Sequence, residues 1–263
     1  MLTISNIYGH GFDRQEVARL ETLGFKVRPQ ASTYMGTQIC RFLDFERGPA
    51  LEVIDIEDHQ AYRDFVPAGM VPYCPGISLI LPDDSNKTLA DFEREFSDLG
   101  PYTLHVNYDG SQVPAGPGWN YLNFERLVVP GTFTWLTACD PSVPSARHET
   151  AHPNGVLGVI GLVFGLESAA LKGLARLAEV AFDAGVMTIG GVQVWSRGAL
   201  TDFPALGAKE FPLIAIVVQA RSLGYFAAGA DRVKRVSFMD QSAVHIETNP
   251  RSWDLLVVPV SES

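Results

Sequence analysis

Leu23-Gly24-Phe25, Leu99-Gly100-Pro101-Tyr102 and, more loosely, Ala184-Gly185-Val186 repeat one phrase, in which an amphipathic helix closes on a glycine and runs on into a strand. Each copy follows an apolar strand-like run and precedes further runs of the same kind. A unit that reads strand, helix, strands cannot bury its own apolar face, so successive copies must pack on one another. The repeat sets the architecture before any single residue is weighed.

Working outward, module one opens with a strand at 2–8 and a helix at 14–23. Asp13 and Glu16 form a capping-box pattern there, and Val17, Leu20 and Leu23 form its apolar stripe. Strands are expected at 25–28, 38–45 and 51–56, the last pair turned by Arg47-Gly48-Pro49. Residues 59–75 read as a loop, since Pro67, Pro72 and Pro75 oppose a long helix. Module two has a strand at 77–81, a helix at 88–99 carrying Leu89, Phe92, Phe96 and Leu99, and strands at 102–108, 121–129 and 132–138. Module three offers a strand at 156–164, a helix over 168–184 and a strand at 191–197. A compressed module four runs through 213–220, a short helix at 222–229, and strands at 233–239, 243–248 and 253–258.

Residues 140–155, rich in Pro, Ser and His, make the best internal boundary. The expected domains are 1–142, built from modules 1–58 and 76–139, and 156–263, with 143–155 as linker. The fold class is α+β. Four βαβββ-like modules pair into two cupped, mixed or antiparallel sheets, and each hollow is a natural pocket.

Composition narrows the function. At 46% apolar and 19% charged residues the chain buries a substantial core with ease. A formal charge of −10 excludes the basic stripe of a nucleic-acid surface. No apolar run reaches about 18 residues, the start Met1-Leu2-Thr3-Ile4 lacks a basic leader, and Cys40, Cys74 and Cys139 show no CxxC spacing. These features lead us to expect a cytoplasmic protein without membrane or nucleic-acid partners. Exposed sheet edges of this design pair readily, which points to a homodimer.

The residues Gly36-Thr37, Arg41-Phe42, Leu51-Glu52-Val53-Ile54 and Ala151-His152-Pro153-Asn154-Gly155 resemble the two-domain, glyoxalase-like branch of the vicinal oxygen chelate superfamily. In its metal-using members, ligands come from a His in a module's first strand and a Glu in its last. The resemblance puts Glu52 on the Glu position and Asn6 on the His position, with His10 the nearest imidazole. Equivalent positions fall near Ser78 and Leu136 or Thr137 in module two, and near Gly158 in module three. The resemblance therefore implies a divalent metal held by Glu52 and His10, fewer than the three or so ligands a catalytic ion takes.

The implied activity is proton transfer, of lyase or isomerase type, beside a carbonyl of a small oxygenated substrate. Glu52 would be the base or the sole carboxylate ligand, and Asn6, Arg41 and His105 would bind the substrate. Alternation alone does not choose between the hollow and solvent for Glu52. Arg41, a charge in the apolar run Ile39–Leu43, either pairs with Glu52 across the sheet or holds an anion. The rival readings are a non-catalytic small-molecule binding or resistance protein and, more remotely, an extradiol-type dioxygenase, which needs two His and a carboxylate.

His148-Glu149-Thr150-Ala151-His152 matches HExxH, but that chemistry needs a helix, and Pro141, Pro144 and Pro153 crowd the stretch. His152 is better read as a linker residue. His245 and Glu247 share one strand face, which we read as wet. The four tryptophans read as core or inter-module packing. No phosphate-binding glycine loop and no GxSxG elbow occurs.

Overall fold

The computed structural model describes residues 1–28, 32–34, 38–66, 71–82, 84–107, 118–139, 149–200, 203–204, 208–226 and 230–260. The first half contains β1 (Thr3–His10), α1 (Arg14–Thr22), β2 (Ser32–Tyr34), β3 (Gln38–Leu43), β4 (Ala50–Ile56), α2 (His59–Phe65), β5 (Gly76–Ile80), α3 (Leu89–Glu95), β6 (Pro101–Asn107), β7 (Gly118–Phe124) and β8 (Phe133–Cys139). The second contains β9 (Val156–Phe164), α4 (Lys172–Ala178), β10 (Phe182–Asp183), β11 (Val186–Ile189), β12 (Val192–Ser196), β13 (Leu213–Ala220), β14 (Val233–Phe238), β15 (Gln241–Ile246) and β16 (Asp254–Pro259).

Each half forms one mixed eight-stranded sheet, in the orders β2-β3-β4-β1-β5-β8-β7-β6 and β10-β11-β12-β9-β13-β16-β15-β14. Within a module the first and last strands are parallel, as in β1 with β4 and β5 with β8. The two modules join edge to edge through antiparallel first strands, β1 with β5 and β9 with β13. The duplicated α+β plan is thus present twice over. The domain boundary expected at 142 lies outside the described residues.

One face of each sheet enters a common interior. Ile7, Leu51 and Leu79 of the first sheet share a single apolar cluster with Leu162, Ile216 and Leu255 of the second. Helix α1 contributes Val17 and Leu20, as its sequence stripe predicts. Asp13 caps it by accepting from the Glu16 N–H at 2.8 Å.

The repeated glycine phrase holds in two places. Gly24 and Gly100 end helical segments with φ of 76° and 64°, a backbone region that a Cβ disfavours. The third copy is different. Module three's helix stops at Ala178, and Ala184-Gly185 instead turns the hairpin β10–β11, both residues having positive φ as a two-residue hairpin loop requires.

Other departures have local causes. Residues 25–28 form no strand, and the module's second strand is β2. Residues 59–65 are helix α2 rather than loop, because the Asp58 carboxylate accepts from the Gln60 and Ala61 N–H groups. The helix expected at 88–99 breaks into α3 and a single 3₁₀ turn at Ser97–Leu99. The strand expected at 121–129 runs instead from Gly118 to Phe124, and Val128-Val129 belongs to the turn before β8. Residues 222–226 form turns, not a helix; 227–229 lie outside the described residues.

Candidate functional site

Strand register sorts the first sheet's side chains into two faces. Ile7, Leu51, Val53, Ile77, Leu79 and Leu136 point into the shared interior. Their alternates Asn6, Tyr8, His10, Glu52, Ser78, Trp135 and Thr137 therefore take the opposite face, which is the cup face. Cys40, Ile54, Ile56 and Tyr62 form a second, smaller apolar cluster there, with Tyr8, Phe42 and Tyr73 against it.

Glu52 stands at the centre of this face, between Tyr8 on β1 and Phe42 on β3. Its Oε2 accepts a 2.8 Å hydrogen bond from Asn6 Nδ2. Burial pushes its carboxyl above the usual carboxylate range, and hydrogen bonds from Cys40 and Asn6, with the more distant charge of Arg28, offset only part of that cost. Among the described residues Glu52 has no cationic partner within ion-pair distance.

The positions that the resemblance names are closed in two pairs. Asn6 donates to Glu52 and accepts from Ser5 Oγ at 3.0 Å, while Ser78 Oγ and Thr137 Oγ1 share a hydrogen bond of 2.8 Å. A divalent ion does not fit this set. It offers one carboxylate, neutral oxygens already committed to one another, and no imidazole. Among the described residues no three His, Cys, Asp or Glu side chains converge.

His10 lies at the far end of the same face, 2% exposed, under Tyr62 and edge-on to Tyr8 and Tyr73. Tyr62 Oη accepts from the Tyr73 N–H at 3.4 Å and shares a 3.2 Å hydrogen bond with His10 Nε2. His10 Nδ1 is buried, with the backbone of Tyr73 and Cys74 nearby. Burial lowers His10 to about 4, and the nearby Tyr73 and Cys74 backbone offsets this only in part, so the ring is neutral.

An aromatic wall continues from Tyr8. Its ring centroid lies 5.3 Å from that of Trp135, which stacks on Phe133 at 5.4 Å and meets Tyr121 edge-on at 6.5 Å. Tyr8 reaches Trp135 by lying across Gly76, the residue opposite it on β5. A Cβ on Gly76 would sit 2.1 Å from Tyr8 Cε1. Gly76→Ala is therefore expected to cost about 1–3 kcal/mol and to swing Tyr8 off Trp135. Urea denaturation followed by Trp fluorescence checks both effects, and an unshifted midpoint and spectrum would show that Tyr8 has room to spare.

Two proposed substrate-binding residues lie elsewhere. Arg41 is paired in register with Val53, so it occupies the interior-side face, opposite to Glu52, where its charge acts on Asp55. It neither pairs with Glu52 nor faces the cup. His105 shares its face with Asn120 and Leu122, also turned away from Glu52, and hydrogen-bonds Asn120 Oδ1 at 2.7 Å. Asn6, His10 and Glu52 are the sequence candidates that this face brings together. Tyr8, Ser78, Trp135 and Thr137 join them; position alone, as the face partners of Asn6 and Glu52, could have indicated the first, second and last.

The second sheet's cup face is different in kind. Val163, Trp195, Ala215, Val217, Phe238 and Leu256 fill it, with Leu200 and Phe203 packed on top. His245 is on this face and buried, not wet. Its Nε2 meets Asp254 Oδ2 at 2.8 Å, and Lys209 Nζ lies 2.5 Å from Asp254 Oδ1. Burial alone would raise the Asp254 pKa, but His245, Lys209 and the Thr248 N–H together hold it below the usual range.

The HExxH stretch makes no helix over its described residues, 149–152. His152 instead accepts from the Lys26 N–H at 2.9 Å and donates Nε2–H to the Asp44 carbonyl at 3.1 Å. Asn154 donates to the Leu23 carbonyl at 2.9 Å. The phrase ties the start of the second half to the end of α1. His148 lies outside the described residues.

Two modules per sheet, joined through antiparallel first strands and carried twice in one chain, define the vicinal oxygen chelate fold. No protein-family model and no curated protein matches the sequence. Solved structures do match. A 2,2',3-trihydroxybiphenyl 1,2-dioxygenase from dibenzofuran-degrading Sphingomonas wittichii strain RW1 aligns over 98% of this chain and 90% of its own, at 13% identity and a TM-score of 0.52. An Mn(II)-bound glyoxalase from Novosphingobium aromaticivorans aligns over 98% and 83%, at 8% identity and 0.53. A catechol 2,3-dioxygenase aligns over 97% and 87%, at 12% identity and 0.51. At these identities the likeness establishes the fold. No helix among the described residues is long and apolar enough to cross a membrane.

Proposed function

We propose that the first sheet's cup face is a small-molecule site in which Glu52 exchanges a proton with the bound molecule. The carrying observation is a carboxyl desolvated above its usual pKa, oriented by Asn6 and, among the described residues, without an ion-pair partner. A carboxyl shifted upward in this way is a stronger base than a solvated one, as a general base needs. Tyr8, Trp135 and Phe42 form the apolar wall that would seat the substrate and exclude water. His10 closes the far end of the same face as a buried, neutral ring. The reaction class is proton transfer beside a carbonyl, of lyase or isomerase type. We place the molecule in the cytoplasm and take its sheet edges as the surface through which two copies would pair.

Glu52→Gln is expected to lower turnover of an identified substrate by about a hundredfold, the usual scale for a lost general base. The variant should fold at least as stably as the parent at neutral pH, because Gln removes the cost of a buried carboxylate. Unchanged kcat in a folded variant would remove Glu52 from the chemistry. A second reading, a sequestering protein of the same fold, is favoured by the donor set itself, which supplies no strong electrophile to hold an enolate. It predicts saturable binding without product, measured by calorimetry and mass spectrometry on the same sample.

A further inference from the structure

The charges around the cup face narrow what the site accepts. Of the two arginines of this part of the sheet, one is turned away from the cup face and the other is paired with Asp44. Arg41 is on the interior-side face beside Asp55. Arg28 lies with its Nε 2.9 Å from Asp44 Oδ2 and its guanidinium 4.5 Å above the Phe42 ring. His10 is neutral, and His105 faces away. What remains on the floor is acceptor-rich. Glu52 receives hydrogen bonds from Asn6 and Cys40 and keeps lone pairs to spare, since a carboxylate has about four acceptor sites. The Ser78–Thr137 hydroxyl pair spends one of its two protons internally.

Beside that carboxylate stand aromatic faces. Tyr8 is directly opposite Glu52 in the sheet and runs on into Trp135. A carboxylate next to ring faces is the arrangement that recognises an organic cation, through one charge-assisted hydrogen bond and one cation–π contact. The chain's net charge of −10 draws the same class of ligand from a distance. Resting on the reading of this face as the ligand site, we infer that its ligand presents a protonated amine to Glu52 against the Tyr8–Trp135 wall, and that carboxylates and phosphates are rejected.

Three probes of matched size test this by calorimetry at about pH 7: benzylamine, benzyl alcohol and benzoate. Benzylamine is expected to bind about tenfold more tightly than benzyl alcohol, and benzoate more weakly still. Glu52→Gln should erase the preference for the amine, and Trp135→Ala should weaken whatever binds. Benzoate or benzyl alcohol matching benzylamine, with the binding lost in Trp135→Ala, would overturn the charge rule and leave the cup as the site. Binding of none of the three, or binding untouched by Trp135→Ala, would overturn the site itself and the inference with it.

Discussion

Trp253→Ala is expected to cost about 3–5 kcal/mol, the range for truncating a large buried aromatic. Trp253 is wholly buried, and it comes from the segment that leads into β16. Its ring centroid nevertheless lies 5.1 Å from that of Phe12, in the first half, where β1 hands over to α1. The side chain therefore belongs to the shared interior and not to either sheet alone. Removing it opens a void that rigid strands on both sides cannot fill, so the cavity penalty adds to the lost transfer energy. Trp253→Phe keeps the ring packing and should recover most of the loss. Urea unfolding of the three proteins measures this, and a cost under about 1 kcal/mol for the Ala variant would mean that the halves are not coupled through this contact.

The second large effect is on the pH dependence of stability. His10 sits near 4 in the folded chain against an ordinary 6.5, because its charged form would be desolvated. The unfolded chain thus binds a proton that the folded chain refuses. The stabilisation is complete above about pH 6.5 and is lost as the pH falls toward 4, to a total of about 3 kcal/mol. His152, lowered by its own burial, pulls the same way, so the diagnostic quantity is a difference between variants. His10→Gln should be less stable than the parent at pH 7, where the Tyr62 contact is weakened, and should close or reverse that gap near pH 4.5. Parallel denaturation curves at the two pH values check it. A gap that stays constant would mean that His10 takes up its proton in the folded state without penalty.

Much of the architecture could be read from the chain, because it rests on local periodicity. The α1 stripe and the glycines at 24 and 100 are short-range signals that tertiary structure left in place. The misreadings have the opposite origin. Ala184-Gly185 looks like a helix stop and is a hairpin turn, since both readings ask for positive φ at the same spot. Helix α2 rests on one carboxylate cap at Asp58, which the prolines after it overshadowed.

The site was half legible for a similar reason. The resemblance proposed Glu52 and Asn6, but strand alternation cannot say which parity faces the cup, and a charge inside an apolar run looks functional from either side. Arg41 and Glu52 are neighbours across β3 and β4 with opposite parity, so the sheet separates them. Of the His245–Asp254–Lys209 group only His245 drew notice, and as a wet residue, because its partners are brought to it by tertiary contact and carry no motif spacing.

The plugged second sheet has a consequence for how such a chain can change. Both sheets anchor in one interior, so the half whose hollow is filled by Trp195, Phe203 and Phe238 adds apolar packing to a molecule whose other cup face carries Asn6, Glu52, Ser78 and Thr137. Trimming those three rings would be the natural way to open a second chamber in the same chain.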